Sequence, residues 1–323
     1  MKKTSLSMMV QVLQKKTLAT DIVQFDLVDP HGRELPPFTA GAHIDVQVNS
    51  EHLRQYSLCN NPADRHCYRI AVQREHPSRG GSLAMHEQVQ EGDLLQISAP
   101  RNHFALNPDA SHTLLVAGGI GITPILAMAK ELHQNGRSFE LHYSARTPEQ
   151  AAFVTELESS PFADRVIFHF TRAGKSQRIN LADLSANPRP GVHFHVCGPE
   201  AFNEAVIHAC KQAGWPAEQL HTEYFVGSTV DSGTDDCFEV QLARSGINLT
   251  IPADRSVAEV LIDHDVDLLT SCEQGICGTC ITRVLDGIPE HRDRYLTEEE
   301  KATNDCFTPC CSRSRSRVLV LDL

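Results

Sequence analysis

The sequence predicts a multidomain protein: an all-β barrel or sandwich, then an α/β lobe on a parallel sheet, then a small α+β unit. Three observations predict it. The chain has 323 residues, enough for two or three domains at about 100–200 residues each. Short apolar runs broken by turn residues fill the first third. In the middle, apolar strands alternate with helical patterns, the signature of a parallel sheet covered by helices.

The first region, 1–107, carries strand-like runs at 9–13, 22–27, 42–48, 68–72 and 94–97, separated by Gly, Pro and Asn turns. The second, 108–226, begins with an apolar strand at 113–117. A helix follows at 124–133, with Pro124 in the first turn, where a missing N–H costs nothing. Strand 139–143, helix 151–157, strands 166–170 and 193–197, and helix 200–213 complete it. Residues 227–236 are polar and turn-rich and read as a linker. The third region, 237–323, has strands at 238–242, 249–251, 281–285 and 318–321 and a helix at 257–263.

Composition narrows the function classes. Hydrophobic residues make up 41% and charged residues 22%, which excludes disordered and collagen-like chains. No apolar run approaches the ~18 residues of a membrane span. Met1-Lys2-Lys3 is followed by no apolar signal-peptide core, so the sequence reads as cytosolic. The net charge of −12 argues against nucleic acid, which needs a basic face. The charge is uneven: residues 236–323 hold 16 acidic and 9 basic side chains.

The chain has 11 cysteines. An odd number in a cytosolic protein does not describe a disulfide framework. Cys272, Cys277 and Cys280 make C-x4-C-x2-C, a plant-type [2Fe–2S] spacing. A short loop of this kind aims three thiolates at one cluster. Gly275 and Gly278 let the backbone come close enough to direct N–H groups at sulfur. Zinc favours two such ligand pairs, and only one C-x2-C is present. Cys306, Cys310 and Cys311 are all candidates for the fourth ligand. The run SCEQGICGTCITRV, 271–284, resembles the cluster loop of plant-type ferredoxin domains, and DCFTPCCSR, 305–313, resembles their fourth-ligand segment. The resemblance implies a β-grasp fold and selects Cys310, whose successors match a ligand–apolar–Ser–Arg pattern. Cys311 then takes the apolar place and Cys306 has no role. Cys59, Cys67, Cys210 and Cys237 read as small apolar residues.

Two glycine-bearing turns stand at strand ends in the middle region. Gly118-Gly119-Ile120-Gly121-Ile122-Thr123-Pro124 follows a strand and opens a helix, where backbone N–H groups and the helix dipole favour phosphate. It is not a G-x-G-x-x-G fingerprint, and alone it is a modest signal with a plain tight turn as its alternative. Cys197-Gly198-Pro199-Glu200 repeats the arrangement, and ligands of open parallel sheets gather at the carboxyl ends of the strands. Together these runs resemble the pyridine-nucleotide lobe of the ferredoxin–NADP reductase superfamily. The resemblance implies that Gly119, Gly121, Thr123, Gly198 and Pro199 bind the nucleotide and that Cys197 sits by the nicotinamide. Residues 144–147 include Arg146 and no acid, which suits a 2′-phosphate, whereas the resemblance implies NADH.

In the first region, Arg54-Gln55-Tyr56-Ser57 resembles the R-x-Y-S flavin motif of that superfamily. Arg can pair with phosphate in a bidentate way, and Tyr can pack on a flavin and hydrogen-bond. Arg79-Gly80-Gly81-Ser82 precedes a helix and suits a phosphate cradle. Ala71 and Val72 end a strand and offer backbone contacts. Alone, RQYS is an ordinary strand and RGGS a turn; their order ahead of GGIGITP favours the flavin reading. The resemblance implies FMN, places Phe225 over the flavin face, and makes Cys197, Glu223 and Phe225 the candidate catalytic residues.

The order of barrel, nucleotide lobe and ferredoxin unit resembles the phthalate dioxygenase reductase family, and the cluster loop and FTPCCSR tail are most similar to its vanillate O-demethylase branch. This implies the reductase component of a two-component Rieske oxygenase, passing electrons from NADH through FMN and [2Fe–2S] to a cognate oxygenase in aromatic breakdown. The acidity of the last region suggests docking on a basic patch of the oxygenase, and the protein is expected to be a monomer when free. Two other classes remain: a stand-alone NAD(P)H-dependent reductase with another acceptor, and a non-catalytic ferredoxin-like carrier.

Overall fold

Strands β1 (Leu6–Ala19), β2 (Ile22–Val28), β3 (Ala42–Gln47), β4 (Leu53–Ser57), β5 (Tyr68–Gln73), β6 (Leu94–Ser98) and β7 (Arg101–Asn102) form one antiparallel sheet. The computed structural model describes residues 6–50, 52–76, 80–172, 178–225, 237–253, 255–270, 275 and 278–323. The strand order is β4-β3-β6-β1-β2-β5, with β7 on β3. Register shifts at Val12/Gln14 and Thr17/Ala19 bend the long β1, and such bulges increase local twist. The end strands meet: Cys59, two residues past β4, donates its N–H to Arg69 O on β5 at 2.9 Å. The sheet thus closes as a barrel around Val10, Phe25, Ile44, Ile70 and Ile97. Helix α1 (Gly81–Glu87) adds Ala84 and Met85 to that core. Lys15 Nζ donates to His86 O and Val89 O at the far end of α1, at 2.7 and 2.6 Å, a cation at the negative end of the helix dipole.

Strands β8 (His112–Gly118), β9 (Phe139–Ala145), β10 (Val166–Phe170), β11 (Val192–Cys197) and β12 (Leu220–Glu223) form a wholly parallel sheet in the order β10-β9-β8-β11-β12. Helices α2 (Ile122–Gln134), α3 (Val154–Glu158), α4 (Leu181–Ser185) and α5 (Glu200–Gln212) connect them. β11 is buried along its length, as a central strand covered on both faces must be. Leu114, Val116, Phe194 and Val196 pack with Val206, Cys210 and Trp215 on one side. On the other, Leu115, Leu141 and Tyr143 pack with α2 and also with Ile22, Ala40, Cys59, Ala71 and Phe104 of the first region. The barrel and the lobe therefore share a core, and Met1–Phe225 forms one compact unit.

The helix expected at 151–157 begins only at Val154. A 3-10 turn occupies Pro148–Gln150, and Phe153 holds φ at +62°, a left-handed conformation no α-helix accommodates. The last strand ends at Glu223, so Tyr224 and Phe225 lie beyond it.

The second unit is Val226–Leu323; the linker expected at 227–236 lies outside the described residues. Its strands are β13 (Phe238–Leu242), β14 (Asn248–Ile251), β15 (Thr282–Asp286), β16 (Pro289–Glu290), β17 (Cys306–Phe307), β18 (Arg313–Ser314) and β19 (Val318–Leu321). Five make a sheet ordered β14-β13-β19-β15-β17, and β16 pairs with β18. β13 alternates buried and exposed residues, the period-2 pattern of a half-buried strand. Helix α6 (Val257–Asp263) starts at a Ser256/Glu259 capping box, which satisfies two free N–H groups reciprocally. It packs Val257, Val260 and Leu261 on Phe238, Phe307 and Leu319. Helix α7 (Glu298–Thr303) repeats the capping box with Thr297 and Glu300. Among the described residues no helix is long and apolar enough to cross a membrane.

Candidate functional site

Three segments converge at the carboxyl end of the parallel sheet. β8 passes through the turn Gly119–Gly121 into α2, β11 passes through Gly198 and Pro199 into α5, and β12 ends at Glu223. At Gly121 an added Cβ would stand 2.2 Å from Cys197 O; only glycine lets the two turns come this close. Thr123 Oγ1 donates to Ile120 O at 3.0 Å and closes the first turn. Cys197 is fully buried; burial, then the Glu223 charge, hold its thiol well above the ordinary value. Burial pushes the Glu223 carboxyl up to about 8, only partly offset by the Ser57 hydroxyl, which donates to Glu223 Oε2 at 3.5 Å. A carboxyl that keeps its proton at neutral pH can donate as well as accept. Ser57 is the last residue of β4, so this contact brings the R-x-Y-S strand to the nucleotide turns. Phe225 is half-buried against the cluster that contains Cys197.

Farther along β4, Tyr56 packs on the barrel core, and burial raises its phenol pKa. Gln55 Nε2 is buried without a partner among the described residues, an open donor beside Tyr56. The start of α1 lies against the same strand. A Cβ at Gly81 would stand 2.6 Å from Arg54 Nε, and one at Gly80 2.4 Å from His52 Nε2. A guanidinium, an imidazole and two backbone glycines thus enclose a cradle that any side chain at 80 or 81 would fill, which fits a flavin phosphate. Ser82 Oγ accepts the Glu75 N–H at 3.2 Å. On β5, Ala71 is buried, and Val72 O accepts from His86 Nε2 at 2.9 Å. Arg79 lies outside the described residues. Arg146 is exposed just past β9, and its carbonyl accepts the Arg172 N–H at 2.8 Å.

In the second unit, Cys272 and Cys277 lie outside the described residues. Cys280 Sγ and Cys310 Sγ are 3.2 Å apart, buried with Ala258 and Cys311. Gly275 N–H donates to Cys310 Sγ at 3.3 Å. Two converging soft donors in an apolar pocket, one already receiving a backbone N–H, fit an iron–sulfur cluster. Cys311 Sγ lies 3.2 Å from Thr308 Oγ1 and also faces Gly275, where an added Cβ would stand 2.3 Å from it; Cys306 sits on β17 opposite Arg283.

Sequence reasoning missed several neighbours. His52 has no motif to announce it. Asn203 on α5 donates Nδ2–H to Glu223 O at 2.9 Å. Arg294 N–H donates to Gly275 O at 2.9 Å, and the Tyr295 ring lies where a Gly278 side chain would be. Their partners are remote in sequence, so no spacing rule signals them.

The 2Fe-2S iron-sulfur cluster binding domain family matches residues 240–315. The chain is 49% identical to vanillate O-demethylase oxidoreductase of Pseudomonas putida, over 97% of this chain and 98% of the relative. It is 41% identical to the carnitine monooxygenase reductase subunit of Escherichia coli (strain K12), over 97% and 98%. The solved structure of phthalate dioxygenase reductase, described as a modular structure for electron transfer from pyridine nucleotides to [2Fe–2S], superposes with a TM-score of 0.80 at 40% identity, covering 98% of each chain.

Proposed function

Because the chain belongs to the phthalate dioxygenase reductase family of oxygenase reductase components, we propose that it carries electrons from NADH, by way of FMN and [2Fe–2S], to a Rieske oxygenase acting on a vanillate-like aromatic. When bound, FMN supplies the conversion of a two-electron hydride into the single electrons that [2Fe–2S] carries. Arg54, Arg79, Gly80, Gly81 and Ser82 hold the flavin phosphate; Tyr56, Ser57, Ala71 and Val72 hold the ring. Gly119, Gly121, Thr123, Gly198 and Pro199 seat the nucleotide. Cys197 and Phe225 exclude water from the reacting faces, and Glu223 keeps a proton within reach of Ser57. Cys272, Cys277, Cys280 and Cys310 are the cluster ligands.

The observation that carries this reading is the meeting of Ser57, Gly121, Cys197 and Glu223, from four separate segments, in one unit. The domain limits that go with it are 1–107, 108–226 and 237–323, with a linker at 227–236. We place the protein in the cytoplasm, as a monomer when free. The test is direct. Purified protein should show flavin absorbance, release FMN rather than FAD on denaturation, and contain equal iron and sulfide. It should be bleached by NADH faster than by NADPH, and should reduce the oxygenase encoded beside it. Protein without flavin or iron refutes the proposal.

A further inference from the structure

We propose that Lys130 is a positioning residue for hydride transfer: a closed ring of polar contacts through its ammonium fixes the nucleotide helix α2 against the end of β4. The proposal rests on the reading of the first unit as the site of both flavin and nucleotide.

The ring can be followed atom by atom. Lys130 Nζ donates to Cys59 O at 3.1 Å and pairs with Glu156 Oε1 on α3 at 2.7 Å. Glu156 Oε2 lies 3.9 Å from Arg69 Nη1 on β5. Arg69 grips Asp26 on β2 with two bonds, at 2.7 and 3.0 Å, and its carbonyl accepts the Cys59 N–H at 2.9 Å. The circuit returns to Cys59, and the charges of Asp26, Arg69, Glu156 and Lys130 alternate in sign and cancel. A second tether lies beside it, where Ala40 N–H donates to Glu131 Oε2 at 2.9 Å.

Exposed ion pairs contribute little, but this ring is exposed on one side only: the Lys130 and Asp26 side chains retain 16% and 9% of their accessible surface, against 27% for Arg69 and 37% for Glu156. Its placement is specific. Cys59 is two residues past Ser57. Lys130 lies on α2 about 10 Å along the axis from Thr123, at the ~1.5 Å rise per residue of a helix. Both covalent paths from the ring to the reacting region are short: one runs along α2, the other through the buried Leu58 and Cys59 that follow β4. The apolar core between barrel and lobe is non-directional, so it resists small slips of α2 along its axis less sharply than directed contacts do. The ring adds direction, because its hydrogen bonds have preferred directions, while the 3.9 Å Glu156–Arg69 contact adds only charge attraction. Hydride transfer is the step that feels such slips, since reacting atoms must stand near van der Waals contact.

The experiment uses the full flavin-loaded chain with Lys130→Met, Glu156→Gln, Lys130→Arg and the Lys130→Met/Glu156→Gln double variant. Two measurements are made: anaerobic single-turnover bleaching of the flavin by NADH, and hydrogen exchange of segments 57–60 and 124–134 in the resting protein. For Lys130→Met the limiting bleaching rate should fall about 10–100-fold while the half-saturating NADH concentration moves less than about threefold. Exchange should rise in both segments. Lys130→Arg should restore the rate to within about threefold, and the double variant should be no slower than Lys130→Met, as members of one network behave. Limiting rates within about twofold of the parent in both Lys130→Met and Glu156→Gln overturn the proposal. Should Lys130→Met not fold, Glu156→Gln decides by the same readouts. Protein that binds no flavin overturns the underlying reading together with this one; flavin bound and bleached at the parental rate overturns only the role of Lys130.

Discussion

Glu223 makes the stability of the first unit depend on pH in a direction opposite to that of an ordinary paired carboxylate. Its carboxyl is pushed from 4.5 to about 8, mainly by burial. In the unfolded chain it ionises near its ordinary value. Between those two values the folded state holds a proton that the unfolded state releases, so stability is greatest below the lower value and is lost as pH rises through the window. Above the upper value the loss levels off. The full displacement is worth about 5 kcal/mol, at ~1.4 kcal/mol per pH unit. From about pH 6 to about pH 7.5 the loss is ~2 kcal/mol, because the unfolded group is already ionised and the folded group is still largely protonated. Glu223→Gln removes the titration and keeps the shape. Urea unfolding can be followed through Trp215, the chain's single tryptophan, which is buried in the first unit. The gap between parent and variant should shift by ~2 kcal/mol in favour of the variant across that interval. A gap that stays constant with pH would show that Glu223 is ionised in the folded protein, and the account of its burial would fail.

Three further outcomes follow from the geometry. Cys310→Ser should abolish the [2Fe–2S] absorbance and paramagnetic signal while Cys306→Ser keeps both; loss of the cluster in Cys311→Ser alone would reassign the fourth ligand. Gly121→Ala places a methyl 2.2 Å from Cys197 O, an overpacking that should cost about 1–3 kcal/mol or more in urea unfolding and weaken NADH binding; an alanine variant of parental stability and affinity would contradict the tight approach of the two turns. Electron delivery to the oxygenase should slow steeply with added salt, as a steered encounter does, while bleaching of the flavin by NADH within the chain stays nearly constant; equal salt dependence of the two steps would remove the docking role of the acidic unit.

Local chemistry made much of the fold legible. α6 runs over the residues its periodicity predicts because Ser256 and Glu259 announce its start and its apolar face is strong. α7 carries the same signature at Thr297 and Glu300 but buries none of its residues, so no apolar stripe marks it. α3 is shorter than its pattern because Phe153 turns left-handed, a tertiary effect with no composition cue. The site follows the same division. Glycine turns and cysteine spacings are local and visible. The Ser57–Glu223 contact joins residues 166 apart, and the elevated carboxyl exists only once β4 and β12 have met.

The chain divides its contacts according to what each chemical step demands. Hydride transfer slows by about a hundredfold when donor and acceptor are misplaced by about 1 Å. Every group proposed for it lies in Met1–Phe225, where barrel and lobe share a core and polar tethers cross at Lys130, Glu131 and Ser57. Single-electron transfer forms no bond between the reacting centres and tolerates a gap, so the cysteine site can sit in a separate unit with its own core. The same division accounts for relatives named for vanillate and carnitine systems matching nearly the whole chain. On the proposed function the compound finally oxidised meets the oxygenase, which requires no pocket for it in this chain. On the same proposal, specificity for the oxygenase would fall to the second unit, where residues 236–323 carry 16 acidic and 9 basic side chains.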